Sequence, residues 1–395
     1  MKILHLSPYF PSTAANHAGG VCMGKQVETL QKYNQVYVLT FEASEFDRTL
    51  REKYQNDSHY YSVKITRSGR VLHMLLEPWL PNYFAARSSL RFACKLIWMV
   101  KKYQIDAIHA EYASMGQYLW IKRLFPRLVF HMTEHDMTAQ SYERKLGASH
   151  GIKKWYLRYQ LNRVKAAERF YCTHADRLFT FNEKDRRLIE DAYGRKDCLV
   201  LNPYYGLDDA MLEKPVSDGQ RQYANLCFLG QMGRDENYLA AMRLIRIAKT
   251  VKEEIPELQV YIVGNKPPET LKEQENEWIH VTGFVEDVDS YLKQAQLAVF
   301  PLTLGAGIKL KVLRSLAAGT PVITGIVGAE GIDEAGEVII PAETDEEYRE
   351  QILNWMKRQD ELSRRSEESQ AFVRKHFSWK HSEEVLRSVY GETKN

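Results

Sequence analysis

Gly305-Ala306-Gly307-Ile308-Lys309-Leu310-Lys311-Val312-Leu313-Arg314-Ser315-Leu316-Ala317-Ala318-Gly319-Thr320-Pro321-Val322-Ile323 is, in succession, a glycine-rich turn, an amphipathic helix, a glycine stop and a β-branched strand. A helix start leaves backbone N–H groups unpaired and carries the positive end of the helix dipole, so this turn is suited to phosphate. Lys309 and Lys311 add charge where a diphosphate would lie. Two helical residues two apart diverge by about 200° around the axis. Lys309 therefore joins Lys311 at the site only if it precedes the first helical turn.

Outward from this stretch, short apolar runs alternate with longer helical patterns to both ends of the chain, the mark of βα units and parallel sheets. The pattern predicts strands over 3–6, 35–40, 107–110, 128–133 and 177–181, with helices over 21–32, 88–102, 116–124, 152–173 and 184–192. After a turn-rich boundary at 202–221, holding Pro203, Gly206, Pro215 and Gly219, it restarts. Strands are then predicted over 224–229, 259–263, 280–282, 297–301, 321–324 and 338–341, and helices over 237–251, 345–358 and 360–376. A last amphipathic helix, 378–390, has Ser378 as its cap. The expected fold class is α/β, with two Rossmann-like, doubly wound domains facing a central cleft. Ligands in such sheets bind beyond the carboxyl ends of the strands. The expected division is 1–203, 204–376 and a terminal helix, 377–395, returning to the first domain.

At 395 residues the chain suits two domains, and its net charge of +3 is too small to argue for nucleic acid. No stretch approaches the roughly 20 apolar residues that span a bilayer. Residues 1–8 are too short a run, broken by Pro8, for a signal peptide and read as a first strand. Cys22, Cys94, Cys172, Cys198 and Cys227 are scattered and lack metal spacing, which fits a reduced cytoplasmic setting and core packing. The helix over 153–169 interleaves lysine and arginine with aromatics, and 88–102 and 120–127 carry a similar mixture. Such a surface either lies on an anionic membrane, at its inner face, or is an aromatic core face with a solvated basic side.

Several landmarks keep a common order. They are Gly19-Gly20 after the first strand, Ala175-Asp176-Arg177, Phe228-Leu229-Gly230, Val281-Thr282-Gly283-Phe284-Val285 followed by Asp287, the run 306–323, and Phe377-Ser378-Trp379. Together they resemble the retaining glycosyltransferases of GT-B architecture, glycosyltransferase family 4, over nearly the whole chain. The resemblance implies transfer of a sugar, as in a hexosyltransferase, from a nucleotide-diphosphate sugar held by the C-terminal half. The acceptor, held by the N-terminal half, would be a glycan, a lipid-linked molecule or a protein, in cell-surface glycan synthesis. It implies a front-face displacement in which the donor phosphate takes the acceptor proton, with the nucleotide sugar as co-substrate and neither cofactor nor metal. The protein then positions the reactants and neutralises the leaving diphosphate.

By the same resemblance, His135, in Met132-Thr133-Glu134-His135-Asp136, touches the transferred sugar, and Lys311 the diphosphate. Glu134 and Asp136 are expected to orient His135 on the acceptor side, with Glu111 a further strand-end candidate there. The donor set is Gly19, Gly20, Gly230, Arg234, Gly305, Ala306, Gly307, Ile308, Lys309, Arg314 and Glu330. Two departures stand out. Relatives place an arginine and then a lysine in the turn after Gly230, where this chain has Gln231 and Glu236, with Arg234 between them. The two glutamates that many relatives carry eight positions apart fall at Ala306 and Arg314. An arginine cannot accept hydrogen bonds from ribose hydroxyls, leaving Glu330 as the candidate to reach them. Either donor binding is rearranged, or the chain is an inactive partner of an active transferase. A sugar-nucleotide epimerase would need a carboxylate pair that the motifs do not supply. A dinucleotide oxidoreductase would need Gly-x-Gly-x-x-Gly after the first strand, which is missing.

Overall fold

Apolar runs of four to six residues, too short for stable helices, become the central strands of two parallel sheets. In the computed structural model, which describes residues 1–15, 18–54, 56–147, 149–207, 222–305, 308–332 and 338–391, the chain divides into two units. One is Met1–Gly206 with Trp379–Asn395; the other is Leu207–Ser378. Most of the turn-rich stretch at 202–221, together with Ala306 and Gly307, lies outside the described residues.

The first unit's sheet holds β1 (Lys2–Ser7), β2 (Gln35–Glu42), β3 (Tyr60–Lys64), β4 (Ala107–Glu111), β5 (Val129–Glu134), β6 (Arg177–Thr180) and β7 (Leu199–Val200). Their order is β3-β2-β1-β4-β5-β6-β7. The second sheet holds β8 (Asn225–Leu229), β9 (Gln259–Val263), β10 (Ile279–Gly283), β11 (Leu297–Phe300), β12 (Val322–Thr324) and β13 (Ile339–Pro341), in the order β10-β9-β8-β11-β12-β13. All pairings are parallel. Strand order reverses at β1/β4 and at β8/β11, and a crevice opens beyond the carboxyl ends at such switch points.

Among the described residues, two strands and seven helices escaped the sequence reading, the helices being Glu45–Lys53, Arg67–Leu76, Asn82–Ala85, Thr138–Gly147, Glu269–Lys272, Val288–Gln294 and Ile326–Ala329. β3 is a half-buried edge strand and β7 only two residues long, so neither gives a continuous apolar run. The helices Glu45–Lys53, Arg67–Leu76 and Thr138–Gly147 are short, and the first depends on a capping box between Ser44 and Asp47. The helix predicted over 116–124 is instead three pieces, Ala113–Gly116, a 3₁₀ turn at Gln117–Trp120, and Ile121–Leu124. Gly19 and Gly20 are not in a loop: the helix Ala18–Gln31 already contains them in its first turn.

Ser378 stands one residue before the position that caps the last helix. That helix, Lys380–Tyr390, starts after Trp379, which makes no side-chain cap bond, and Ser378 ends the preceding helix Gln359–Phe377. The last helix docks on the first unit. Trp379 Nε1 donates to Thr29 Oγ1 at 2.8 Å and Ser382 Oγ donates to the Asn202 carbonyl at 3.0 Å. Trp379, Leu386 and Tyr390 share an apolar core with Ile3, Val27 and Phe179.

Candidate functional site

In the second unit, the loops after β8 and β11 and the start of the helix Leu310–Ala317 enclose a cavity of about 340 Å³. Gly230, Gln231, Arg234, Glu236 and Asn237 line it from the first loop, and Gly305, Ile308, Lys309 and Lys311 from the second. Leu302, Leu304 and Leu310 supply its apolar wall. The loop after β9 closes tightly on the first of these. A Cβ at Gly264 would lie 1.7 Å from the Gly230 carbonyl oxygen, and its φ of +145° is open only to glycine. Gly305, at φ +110°, sits against the Lys309 side chain, 3.3 Å from its Cε to a built Cβ.

The helix begins at Leu310, with Lys309 as its N-cap. Lys309 therefore precedes the first helical turn, and both lysines line the cavity while diverging. Lys309 Nζ donates to Glu330 Oε2 at 3.1 Å. Lys311 donates to Asn237 Oδ1 and lies 5.4 Å over the Phe228 ring. Burial pulls the Lys311 pKa down to about 8; Glu236 opposes this, and the charges of Lys309 and Arg234 add to it. Arg234 pairs with Glu236 at 2.7 Å, and Arg314, one turn beyond Leu310, pairs with Asp289 at 2.7 Å. Glu330 is thus engaged with Lys309, and the carboxylate beside Arg314 is Asp289. Asn237, which holds Lys311, and Asp289 were both missed. The available signal for Asn237 was its place seven residues after Gly230, in the first turn of the helix Asp235–Lys252.

In the first unit, the carboxyl ends of β1, β4 and β5 carry a histidine–glutamate cluster. Strand register sets His5, His109 and His131 side by side. Glu111 Oε1 accepts from His5 Nε2 at 3.0 Å and lies 3.1 Å from His109 Nε2, whose hydrogen-bond partner is Thr133 Oγ1 at 2.9 Å, and Oε2 accepts from His135 Nε2 at 2.6 Å. Burial alone would raise the Glu111 pKa, but the contacts with His109, His135 and His5 hold it well below the usual carboxylate range. An ionised carboxylate only accepts, so His5 and His135 meet it through a protonated Nε2. Burial pushes His5 below its ordinary value despite Glu111, and brings His131 to about 3. Tyr390, from the last helix, reaches His109 Nδ1 at 2.6 Å.

His135 follows β5, and Tyr112, which follows β4, stacks on its ring with centroids 3.7 Å apart at 11°. Tyr112 adopts φ +66°, ψ 150°, a backbone state that costs a non-glycine residue roughly 1–3 kcal/mol. Phe181 meets the ring edge-on at 4.6 Å. Arg87 lies over Tyr9, which contacts Tyr112 edge-on. The sequence reading missed Tyr112; its positive φ has no sequence signature.

The three acceptor-side candidates sit in different surroundings. Glu111 is fully buried and meets His135 Nε2 through Oε2 at 2.6 Å. Glu134 is the last residue of β5. Its buried carboxyl takes a bond from Thr138 Oγ1 at 3.3 Å, and burial and Glu168 push its pKa well above the ordinary range. Asp136 is exposed in the turn after β5, and the partner on His135 Nε2 is Glu111.

Among the described residues, His5, His109 and Glu111 are the group whose ligand atoms lie close enough to share a metal. The His5 and His109 rings are stacked, 5.4 Å apart and within 6° of parallel.

The profile described as Glycosyltransferase Family 4 matches residues 27–203, and the profile of Glycosyl transferases group 1 matches residues 224–358. No curated protein matches the chain in sequence. Among solved structures it is similar to HepE from Anabaena, solved with UDP, at 14% identity and TM-score 0.65, covering 99% of this chain and 100% of that one. It is also similar to sucrose-phosphate synthase from Thermosynechococcus elongatus, at 15% identity and TM-score 0.59 over 99% and 98% of the two chains. A glycosyltransferase from Rickettsia africae shows 11% identity and TM-score 0.60 over 98% and 97%.

Proposed function

Because the chain belongs to the group 1, family 4 glycosyltransferases of GT-B fold, we propose that it transfers a hexose from a nucleotide-diphosphate sugar with retention of configuration. The acceptor is a glycan, a lipid-linked molecule or a protein, in the synthesis of a cell-surface glycan at the cytoplasmic face of a membrane. The observation that carries this reading is the second-unit cavity, where Lys309, Lys311 and Arg234 gather around the β8 and β11 loops and a helix start. Cations and free N–H groups at one helix end favour a diphosphate.

In the proposed reaction, the acceptor oxygen forms a bond to the anomeric carbon on the face from which the diphosphate departs. The diphosphate keeps the electron pair of the broken bond and takes the acceptor proton. Lys311 neutralises charge growing on the leaving group, His135 contacts the transferred sugar, and Glu111 and Tyr112 fix the imidazole. Neither a cofactor nor a metal is assigned. Asp289, oriented by Arg314, offers the carboxylate that position 314 lacks.

One observation favours the second reading, an inactive partner of an active transferase: Lys309, Arg234 and Arg314 each already pair with a carboxylate. Titration calorimetry with UDP, GDP and ADP and their glucose conjugates separates the two. We expect one nucleoside diphosphate to bind, with UDP, which HepE holds, tried first. Binding lost in Lys311→Ala supports the transferase. No binding by any nucleotide overturns it in favour of the partner.

A further inference from the structure

We infer that one face of the first unit docks on an anionic lipid bilayer, an inference that deepens the proposed placement at a membrane face and is read from a surface outside the transfer site. In the helix Gly151–His174, Ile152, Trp155, Tyr156 and Tyr159 fall at i, i+3, i+4 and i+7. That spacing makes an apolar stripe which ordinarily faces a core. Here it faces solvent, with Ile152 88% and Trp155 71% exposed. The helix Arg67–Leu76 repeats the pattern: Val71, Leu72, Leu75 and Leu76 share one side, and Leu75 is 72% exposed. Trp79, in the turn that follows, is 70% exposed.

The two helices belong to one surface. Arg163 donates to the Pro78 carbonyl, Asn82 donates to Tyr156, and the Asn82 amide donates to Gln160 Oε1 at 3.1 Å. The turn bearing Trp79 is thereby tied to the helix bearing Trp155.

Charge selects the occupant. Residues 66–170 hold eighteen Lys and Arg against seven Asp and Glu, although the whole chain carries only +3. Three of those seven acids, Glu111, Glu134 and Glu168, are buried. Lys153 and Arg158 lie about 110° to either side of the stripe and Lys154 farther round, all three exposed. A second copy of the chain would bring the same positive excess against itself. An anionic bilayer supplies both missing partners, headgroup charge for the basic residues and an acyl boundary for Trp79, Trp155 and the leucines. Among the described residues no helix is long and apolar enough to cross a membrane, so the contact is one of lying on the surface.

The test is flotation of the full chain with vesicles of phosphatidylcholine, alone or mixed with phosphatidylglycerol, and it reads no transfer activity. We expect flotation with the mixed vesicles and at least about tenfold less with phosphatidylcholine alone or in high salt. Trp79→Ser with Trp155→Ser, and separately Lys153→Glu with Lys154→Glu and Arg158→Glu, each lower flotation about tenfold. Both leave the melting profile intact, because these side chains are exposed. The inference is overturned if the protein floats with neither vesicle or if the variants float as the parent does. It is equally overturned if sedimentation finds a dimer that the tryptophan variants dissolve.

Discussion

At the scale of the residue, Lys311 sets a pH dependence. Burial lowers its pKa in the folded chain from 10.5 to about 8. Below about pH 8 the buried ammonium keeps its proton and is available to a diphosphate, at a cost to stability. Above it the folded chain sheds the proton, and the destabilisation fades by the time the unfolded chain also deprotonates near 10.5. A bound diphosphate favours the charged form, so nucleotide binding above pH 8 takes up a proton. Affinity should then fall by up to about tenfold per pH unit until the pKa of the complex is reached. Calorimetry in buffers of differing ionisation heat measures that uptake. Lys311→Arg, always charged, should flatten the profile, and a parent profile already flat from pH 7 to 10 would remove Lys311 from the diphosphate. This lysine was legible because its spacing from the glycines is local. Asn237, which anchors it, was not, since the contact spans 74 residues of sequence. Ala306 and Gly307, named as donor contacts, fall outside the described residues.

At the scale of the element, the ends of β4 and β5 show what periodicity can and cannot disclose. The strands were readable from their apolar runs, and so was a strand-end histidine. That Glu111 belongs with His135 follows only from the register pairing Ala110 with Met132 and Glu111 with Thr133. Just past that register lies the strained Tyr112. The substitution Tyr112→Gly removes the stacking on His135 but also relieves a backbone state that glycine adopts freely. Tyr112→Ala loses the ring and keeps the strain. The glycine variant is therefore expected to be more stable than the alanine variant by about 1 kcal/mol, the reverse of the usual order for ordered positions. Both variants should lose turnover by about tenfold or more if the stack fixes the imidazole. Chemical denaturation and initial rates check the two halves, and an alanine variant as stable as the glycine one would refute the strain. The helix expected over 116–124 is helical throughout but tightens to a 3₁₀ turn at Gln117–Trp120, with right-handed dihedrals at Gly116, Gln117, Trp120 and Ile121. Gly116 packs so closely under Tyr171 that a Cβ there would lie 2.9 Å away.

At the scale of the whole molecule, the parallel α/β character was legible because the alternation of runs restarts after a break rich in proline and glycine. Less visible was how the last helix is bound to residues more than 170 positions away. Trp379, Leu386 and Tyr390 bury their side chains in the first unit, and Tyr390 closes the chain of contacts from His109 to Glu111 and His135. Removing residues 379–395 would strip three large side chains from that core, at about 1.5–3 kcal/mol each. The sum is a large part of the roughly 5–15 kcal/mol that holds a typical domain together. The truncated chain is therefore expected to unfold its first unit well below the parent, while the unit Leu207–Ser378, which loses nothing, keeps its transition. Nucleotide should raise the second transition alone, since its cations all lie there. Differential scanning calorimetry of the parent and the truncated chain, with and without UDP, resolves the two transitions. A first transition unmoved by the deletion would mean that the last helix rests on the sheet without supporting it, and that the proton-bearing cluster around Glu111 stands without Tyr390.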